Sequence, residues 1–138
     1  MKLFLDACAL IYRFEGAHAY RQATIALLKQ LTAQQVAVEV AVSRLSVMEC
    51  RIKPLRDGDA ALLHRYADFF ASVQILELDA TVVDIATDLR AQHGLKTPDA
   101  LQAASALIWQ RSGNEVLFVT ADQGFDRVPT LAVRLIKA

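Results

Sequence analysis

Four acidic residues occupy positions where carboxylates are uncommon, and together they could bind a divalent cation. Asp6 and Asp122 each directly follow an apolar run that reads as a buried strand. Glu49 lies in an apolar position of a helical pattern, and Asp99 lies in the first turn of another predicted helix. Carboxylate oxygens are ligands preferred by hard ions such as Mg²⁺ and Mn²⁺. The pattern therefore predicts an all-oxygen metal site.

The predicted positions of these acids favour a shared location. Parallel strands end at the same edge of a sheet, and ligands of open α/β sheets bind outside that edge. Asp6 and Asp122 end strands there, and the helices that carry Glu49 and Asp99 can reach the same edge. Carboxylates held close together repel one another unless a cation neutralises them. A metal in such a site can lower the pKa of a water and stabilise charge on a phosphodiester, which suits a nuclease or a phosphatase.

Each of three acids also has an ordinary structural explanation. Asp6 could cap the helix that follows it, and Asp122 could be a turn residue. Asp99 could be a first-turn acid that the helix dipole favours. Glu49 is harder to explain, because a lone carboxylate in an apolar stripe seldom stays unpaired.

An ion pair is the alternative role for Glu49. Its partner would be Arg13 or Arg44, and a carboxylate paired in this way needs no metal. Both interpretations remain open for the single residue. The four acids taken together favour the metal site.

The elements that would position these acids alternate between strands and helices. We predict strands over residues 2–5, 36–42, 73–78, 116–120 and 131–136. We predict helices over residues 9–15, 19–33, 60–70 and 80–92, one that begins after Ser43 and one that begins at residue 97. Helices alternating with short buried strands predict an α/β sandwich with a mainly parallel sheet.

Two local details of these helices can be predicted. Ser43 should cap the third helix through its hydroxyl. Its inner face, taken from the i, i+3, i+4, i+7 spacing, is predicted to be Leu45, Met48, Glu49 and Ile52. Thr97 should cap the last helix, with Pro98 at the first helical position.

Composition limits the class of protein. A chain of 138 residues fits one domain, residues 1–138, that can bury a core without disulfides. The net charge is zero, so no global basic field indicates nucleic acid, and any polyanion site must be local. Cys8 and Cys50 show no zinc-site spacing or disulfide framework, which favours a reducing cytoplasm. No run of about 18 apolar residues is present, so we expect a soluble protein with no membrane partner.

Four stretches of the sequence resemble a known family. They are LFLDACALIY, SRLSVMEC, TPDALQAASAL and FVTADQGF, and they resemble in order the signature stretches of PIN domains. The small size is similar to that of VapC-like toxins of bacterial toxin–antitoxin pairs. The resemblance implies a PIN-like α/β/α sandwich with about five strands. It also implies a Mg²⁺- or Mn²⁺-dependent endoribonuclease that cuts RNA, forms a homodimer and is inhibited by a cognate antitoxin.

The resemblance also assigns residues to the site. Asp6, Glu49, Asp99 and Asp122 correspond to the acidic quartet that binds metal and carries catalysis in the family. Thr120 corresponds to a hydroxyl residue that supports the site.

The chain departs from the family pattern near the first acid. Ala7 and Cys8 stand where the family usually has Ser or Thr and a small polar residue, and Ala121 stands where Asn or Arg is frequent. Because hydrogen bonds around the ligands help to orient them, these departures bear on metal affinity. Asp126 is a candidate accessory acid. Basic residues near the motifs that could contact RNA phosphates are Arg13, Arg51, Lys53, Arg56, Lys96 and Arg127.

Three alternative classes can be compared with these features. A receiver-like phosphotransfer domain needs an acidic pair at the first strand and a Lys late in the chain, but Asp6 has no acidic neighbour and the stretch around Thr120 has no Lys. A haloacid-dehalogenase-like phosphatase needs a DxDxT motif, whereas the chain has Asp6-Ala7-Cys8-Ala9-Leu10. A catalytically silent PIN-like module that binds RNA or protein usually lacks one or more of the acids. All four are present here, which favours catalysis.

Overall fold

The computed structural model describes residues 1–138 and contains one five-stranded sheet. The strands are β1 (Lys2–Leu5), β2 (Glu39–Ser43), β3 (Gln74–Leu76), β4 (Val116–Thr120) and β5 (Ala132–Leu135). Their order across the sheet is β3-β2-β1-β4-β5, and every neighbouring pair is parallel. The predicted fold class is therefore confirmed, with a sheet that is wholly rather than mainly parallel.

Six α-helices flank the sheet. They are α1 (Ala7–Glu15), α2 (His18–Thr32), α3 (Arg44–Asp57), α4 (Ala60–Ser72), α5 (Ala80–His93) and α6 (Thr97–Gln110). A short 3₁₀ helix, Gln123–Arg127, follows β4. None of the helices is both long and apolar enough to cross a bilayer.

Two hydrophobic clusters pack on the sheet because consecutive strand residues point to opposite faces. Phe4 and Phe118 belong to the cluster formed with α5 and α6, and their rings stack with centroids 5.1 Å apart. Leu5 and Val119 belong to the other cluster, formed with α1, α3 and α4. The central strands are thus buried on both faces, as their unbroken apolar runs predict.

The pairing of β1 with β4 brings two chain segments together at the carboxyl edge of the sheet. Leu5 is in register with Val119, and the backbone N–H of Asp6 donates to the carbonyl of Val119 at 3.3 Å. The residues that follow the two strands therefore emerge side by side. These residues include Asp6 and Asp122.

The predicted inner face of α3 is wrong for two residues. Met48 and Ile52 are 53% and 48% exposed, whereas the buried residues of α3 are Ser46, Val47, Cys50 and Pro54. The prediction followed the large apolar side chains, but small side chains let neighbouring elements pack closely against this helix. Ser43 caps α3 as predicted, accepting from the Leu45 N–H at 3.1 Å.

Predicted boundaries also differ from the structure, as two cases show. The second strand begins at Glu39 rather than at residue 36, and Val36 and Val38 are exposed. Lys96 rather than Thr97 is the N-cap of α6, and its side chain makes no capping hydrogen bond. Pro98 is then the second helical residue. Backbone N–H groups of the first turn have no intrahelical partner, so a proline there costs no hydrogen bond.

Neighbouring residues of α3 provide a test of this packing. Val47→Ala should lower the free energy of unfolding by about 2 kcal/mol, because it removes two buried methyl groups and leaves a cavity. Met48→Ala, the larger truncation, should change it by less than about 0.5 kcal/mol because Met48 is exposed. Urea unfolding of both variants measures the difference. An equal or greater loss for Met48→Ala would contradict the orientation of α3.

Candidate active site

Asp6 is a buried carboxylate held by two hydrogen bonds at the junction of β1 and α1. Asp6 is only 4% exposed to solvent. Oδ1 accepts from the Ala9 N–H at 2.9 Å, which caps α1, and Oδ2 accepts from the Thr120 hydroxyl at 2.6 Å. Burial raises the pKa of Asp6 to about 6, although both hydrogen bonds act in the opposite direction. The charges of Asp99 and Asp122 raise it further.

Thr120 connects Asp6 to the segment that follows β4. It is fully buried as the last residue of that strand. Its Oγ1 donates to Asp6 and accepts from the backbone N–H of Asp122 at 3.0 Å. One hydroxyl therefore fixes both the rotamer of the first acid and the backbone of the last.

Asp122 is exposed and caps the 3₁₀ helix. Its Oδ1 accepts from the Gly124 N–H at 2.8 Å. A Cβ at Gly124 would lie 3.1 Å from that oxygen, so the absence of a side chain there keeps the turn uncrowded. The second oxygen of Asp122 is left for other contacts.

Asp99 lies in the first turn of α6 and is half-buried. Burial is the main cause that raises the pKa of Asp99, and the negative charge of Asp122 adds to it. Lys96 and Arg127 lower that pKa, so two cations stand near this carboxylate. Asp99 thus experiences the negative charge of Asp122 and the positive charges of Lys96 and Arg127.

Glu49 makes no salt bridge, so the ion-pair interpretation is wrong. Arg44 instead forms a two-point contact with Glu77, with Nη2 and Oε2 2.6 Å apart. Arg13 packs over the Phe14 ring. Burial first, and then the charge of Asp99, raise the pKa of Glu49, while the amide of Gln102 lowers it by offering a hydrogen bond.

All four acids line one cleft at the carboxyl edge of the sheet. Its volume is about 340 Å³. The lining residues are Asp6, Ala7, Cys8, Ile11, Tyr12, Glu49, Pro98, Asp99, Gln102 and Asp122. The sequence placed the acids at a shared edge, and the structure brings them to one cleft.

The donor set of this cleft fits a hard divalent cation, although the acids do not converge on one point. No three His, Cys, Asp or Glu side chains are close enough here to hold a single ion. Like charges repel, so the carboxylates spread around the cleft. Asp6 is fixed by both of its oxygens, whereas Glu49 and Asp99 are half-buried and the exposed Asp122 is held through one oxygen only. Rotation of these three toward Asp6 would complete an all-oxygen site of the kind that Mg²⁺ or Mn²⁺ prefers.

The accessory acid and the basic residues predicted from the sequence differ in their relation to the cleft. Asp126 is exposed within the 3₁₀ helix and does not line the cleft, so the structure does not bring it to the quartet. Of the six basic candidates, Lys96 and Arg127 act on an acid of the cleft.

Gln102 and Cys8 are cleft residues that the sequence alone did not assign. Gln102 interrupts a run of small and apolar residues in α6, which is the one sequence signal that marks it. Cys8 occupies the wall next to Asp6, and burial is the main cause that raises the pKa of its thiol. The thiol of Cys8 is therefore neutral at neutral pH. It lies beside Asp6, whose carboxylate accepts a hydrogen bond from Thr120.

The fold and cleft define a class: a parallel α/β/α domain with acids gathered at the carboxyl edge of its sheet. Residues 3–131 match the sequence profile described as PIN domain. The chain belongs to the PIN domain family. Comparison with curated proteins gives no match.

Solved structures with a similar fold include three toxin–antitoxin complexes. A chain of VapBC2 from Rickettsia felis, bound to a promoter DNA fragment, has a TM-score of 0.73 and 20% identity, covering 99% of this chain and 100% of that one. A toxin–antitoxin complex from Klebsiella pneumoniae gives 0.70 and 20%, covering 94% and 95%. VapBC-1 from nontypeable Haemophilus influenzae gives 0.71 and 13%, covering 98% of both. The likeness is one of fold.

Burial of Asp6 predicts that the metal-free protein loses stability as pH rises from about 4 to about 6. The pKa of Asp6 is about 6 in the fold against an ordinary 3.8. The folded state therefore binds more protons in this window, and the free energy of unfolding falls with rising pH by about 3 kcal/mol in total. Urea unfolding in EDTA between pH 4 and pH 8 measures this slope. Asp6→Asn removes the titrating group, and parallel curves for the two proteins would contradict the prediction.

The hydroxyl of Thr120 is expected to hold the Asp6 pKa down. Thr120→Val keeps the shape but removes the donor to Oδ2, so the pKa of Asp6 should rise above 6. The Asp122 N–H also loses its acceptor, and stability at pH 7 should fall by about 1–3 kcal/mol. Carboxyl ¹³C NMR titration and urea unfolding check the two effects. Thr120→Ser retains the hydroxyl and should stay near wild type in both.

Proposed function

We propose that the protein is a metal-dependent endoribonuclease, the toxin of a VapBC-type toxin–antitoxin pair. The observation that carries this proposal is the cleft in which Asp6, Glu49, Asp99 and Asp122 meet at the sheet edge of a PIN domain. The acids are the family's expected quartet, and Thr120 supports the most buried of them. The reaction is hydrolysis of a phosphodiester bond in RNA.

The four carboxylates would hold Mg²⁺ or Mn²⁺ in this cleft. A bound ion would supply a water of lowered pKa and neutralise charge that develops on the phosphodiester. Asp6 contributes a carboxylate whose direction is set in advance by Thr120 and Ala9. Glu49, Asp99 and Asp122 supply the adjustable oxygens. Their mutual repulsion favours binding of a cation over the spread arrangement.

The rim of the cleft offers positive charge for the RNA backbone. Lys96 directly precedes α6 and Arg127 ends the 3₁₀ helix, and the charge of each lowers the pKa of Asp99. Arg127 is held there by donating its Nε–H to the Gly124 carbonyl at 3.1 Å. These two residues are the basic candidates best placed to contact a phosphate next to the cut bond. Such contacts would make RNA binding weaken with salt.

Partner binding is proposed on the surface of α3. Met48, Ile52 and Leu55 are exposed apolar residues at i, i+4 and i+7, which form a stripe beside Glu49. Exposed apolar patches of this kind mark protein interaction sites. We assign to such surfaces the contacts of a homodimer and of a cognate antitoxin, and proteins of similar fold are known in toxin–antitoxin complexes. The free thiols of Cys8 and Cys50 suit a reducing cytoplasm.

A catalytically silent binding module is the second candidate. It is favoured by one observation, that no three of the acids are close enough to hold one ion in this structure. Such a module would bind RNA or protein through the same cleft without hydrolysis. Calorimetric titration with Mg²⁺ distinguishes the two candidates. The nuclease must bind Mg²⁺ and should lose that binding in Asp6→Asn, whereas the silent module has no such requirement.

Cleavage of single-stranded RNA by purified protein tests the proposed function. With Mg²⁺ the wild type should cut and EDTA should stop it, whereas Asp99→Asn should lower the rate by about 10²–10³-fold, since metal-ion catalysis supplies several kcal/mol. Asp126→Asn is the matched control, because Asp126 is an exposed acid outside the cleft. It should cut at the wild-type rate.

Growth of cells that express the chain without an antitoxin gives an independent readout of the same variants. Wild type and Asp126→Asn should arrest growth, and Asp99→Asn should not. Equal toxicity of all three would contradict the mechanism. Lack of cleavage by the wild type, together with identical Mg²⁺ traces for wild type and Asp6→Asn, would favour the silent module.

A further inference from the structure

Gln102 is a buried amide on the wall of the acidic cleft. The residue is 3% exposed and lies in α6, one turn after Asp99. Its Nε2 donates to the hydroxyl of Ser46, a fully buried residue of α3, at 2.9 Å. The amide thus spans the contact between the two helices that carry Asp99 and Glu49.

The other polar atom of Gln102 has no partner in the protein. Its Oε1 is buried and accepts no hydrogen bond. Native proteins rarely leave a buried acceptor unpaired, and such atoms often face an ion, a water or a reacting group. Gln102 is also one of the residues that line the cleft with the four carboxylates, so a ligand bound there could supply the missing donor.

The surrounding geometry links this amide to the acids. Asp99 and Gln102 are three residues apart on α6, and Ser46 and Glu49 are three residues apart on α3, so each pair shares one helix face. Gln102 donates to Ser46, and its amide also lowers the pKa of Glu49 on the same helix. Its Nε2 therefore faces α3, and Oε1 keeps its capacity to accept a hydrogen bond.

We propose that Gln102 is a positioning residue of the metal centre: its amide nitrogen orients Glu49, and its Oε1 accepts a hydrogen bond from a water of the cation's hydration shell. This proposal rests on the proposed function. Mg²⁺ and Mn²⁺ sites of this type keep several waters, and those waters are donors only. An amide oxygen satisfies such a donor without adding a fifth negative charge to the cleft.

The chain supplies a matched control on the same helix. Gln110 also leaves its Oε1 unpaired, and its Nε2 donates to the Thr130 carbonyl at 3.2 Å. Gln110 is partly exposed, lies at the far end of α6 and does not line the cleft. Loss of its amide should leave the metal site unchanged.

Mn²⁺ titration followed by electron paramagnetic resonance tests the role of Gln102. Gln102→Met, which keeps the volume but removes both polar functions, should raise the Kd for Mn²⁺ about 10-fold or more, the usual effect of losing a residue that orients ligands. It should also change the line shape of bound Mn²⁺. Gln110→Met should match the wild type in both readouts. Wild-type Kd and line shape in Gln102→Met would overturn the proposal.

A second variant covers the case in which Gln102→Met does not fold. Gln102→Asn retains the amide but is one methylene too short to keep all its contacts, so Mn²⁺ affinity should again fall. Thermal unfolding without metal is measured beside each titration, because a purely structural role would lower the Tm and leave the Kd unchanged. That result would overturn the assignment of Gln102 alone. Failure of the wild type to bind Mn²⁺ would overturn the proposed function as well.

Discussion

The arrangement of the cleft depends on one buried carboxylate at the end of the central strand. Asp6 is almost inaccessible to water, and an isolated charge in such a place is strongly unfavourable. It is tolerated because Ala9 and Thr120 donate to its two oxygens. Those bonds tie the start of α1 to the end of β4, so the same group that would bind a cation also joins two segments distant in sequence. The hydrogen bonds do not fully offset the cost of burial, so the pKa of Asp6 stays raised.

Ordinary structural roles and membership of the cleft are compatible for these acids. Asp6 caps α1, Asp122 caps the 3₁₀ helix and Asp99 lies in the first turn of α6. Each capping position lies at a helix N-terminus, where the backbone partial charge favours an anion. In a parallel sheet those N-termini gather at the carboxyl edge. Local capping therefore delivers Asp6 and Asp122 to one place, and each uses only part of its capacity as an acceptor in doing so.

The sequence predicted what depends on order along the chain and missed what depends on packing. The parallel sheet and the shared edge of Asp6 and Asp122 follow from unbroken apolar runs that end in acids. The exposed face of α3 was mistaken, because Met48 looks more hydrophobic than Ser46 while only the smaller residue fits against α6. Gln102 was missed for a related reason. A single polar residue in an alanine-rich helix forms no periodic pattern. Its role can be recognised only from the residues that the fold places next to it.

Rigidity is distributed unequally around the cleft, and this has a consequence for a nuclease of the proposed kind. Asp6 is locked, whereas Glu49, Asp99 and Asp122 are half-buried or exposed. Moving these three side chains onto one ion loses rotamer entropy, and for Asp122 it also competes with the bond from the Gly124 N–H, which weakens binding of the ion by itself. Mg²⁺ in such sites is completed by substrate phosphate as well as by carboxylates. Cation and RNA should therefore stabilise each other's binding, with Asp6 as the fixed point on which both assemble.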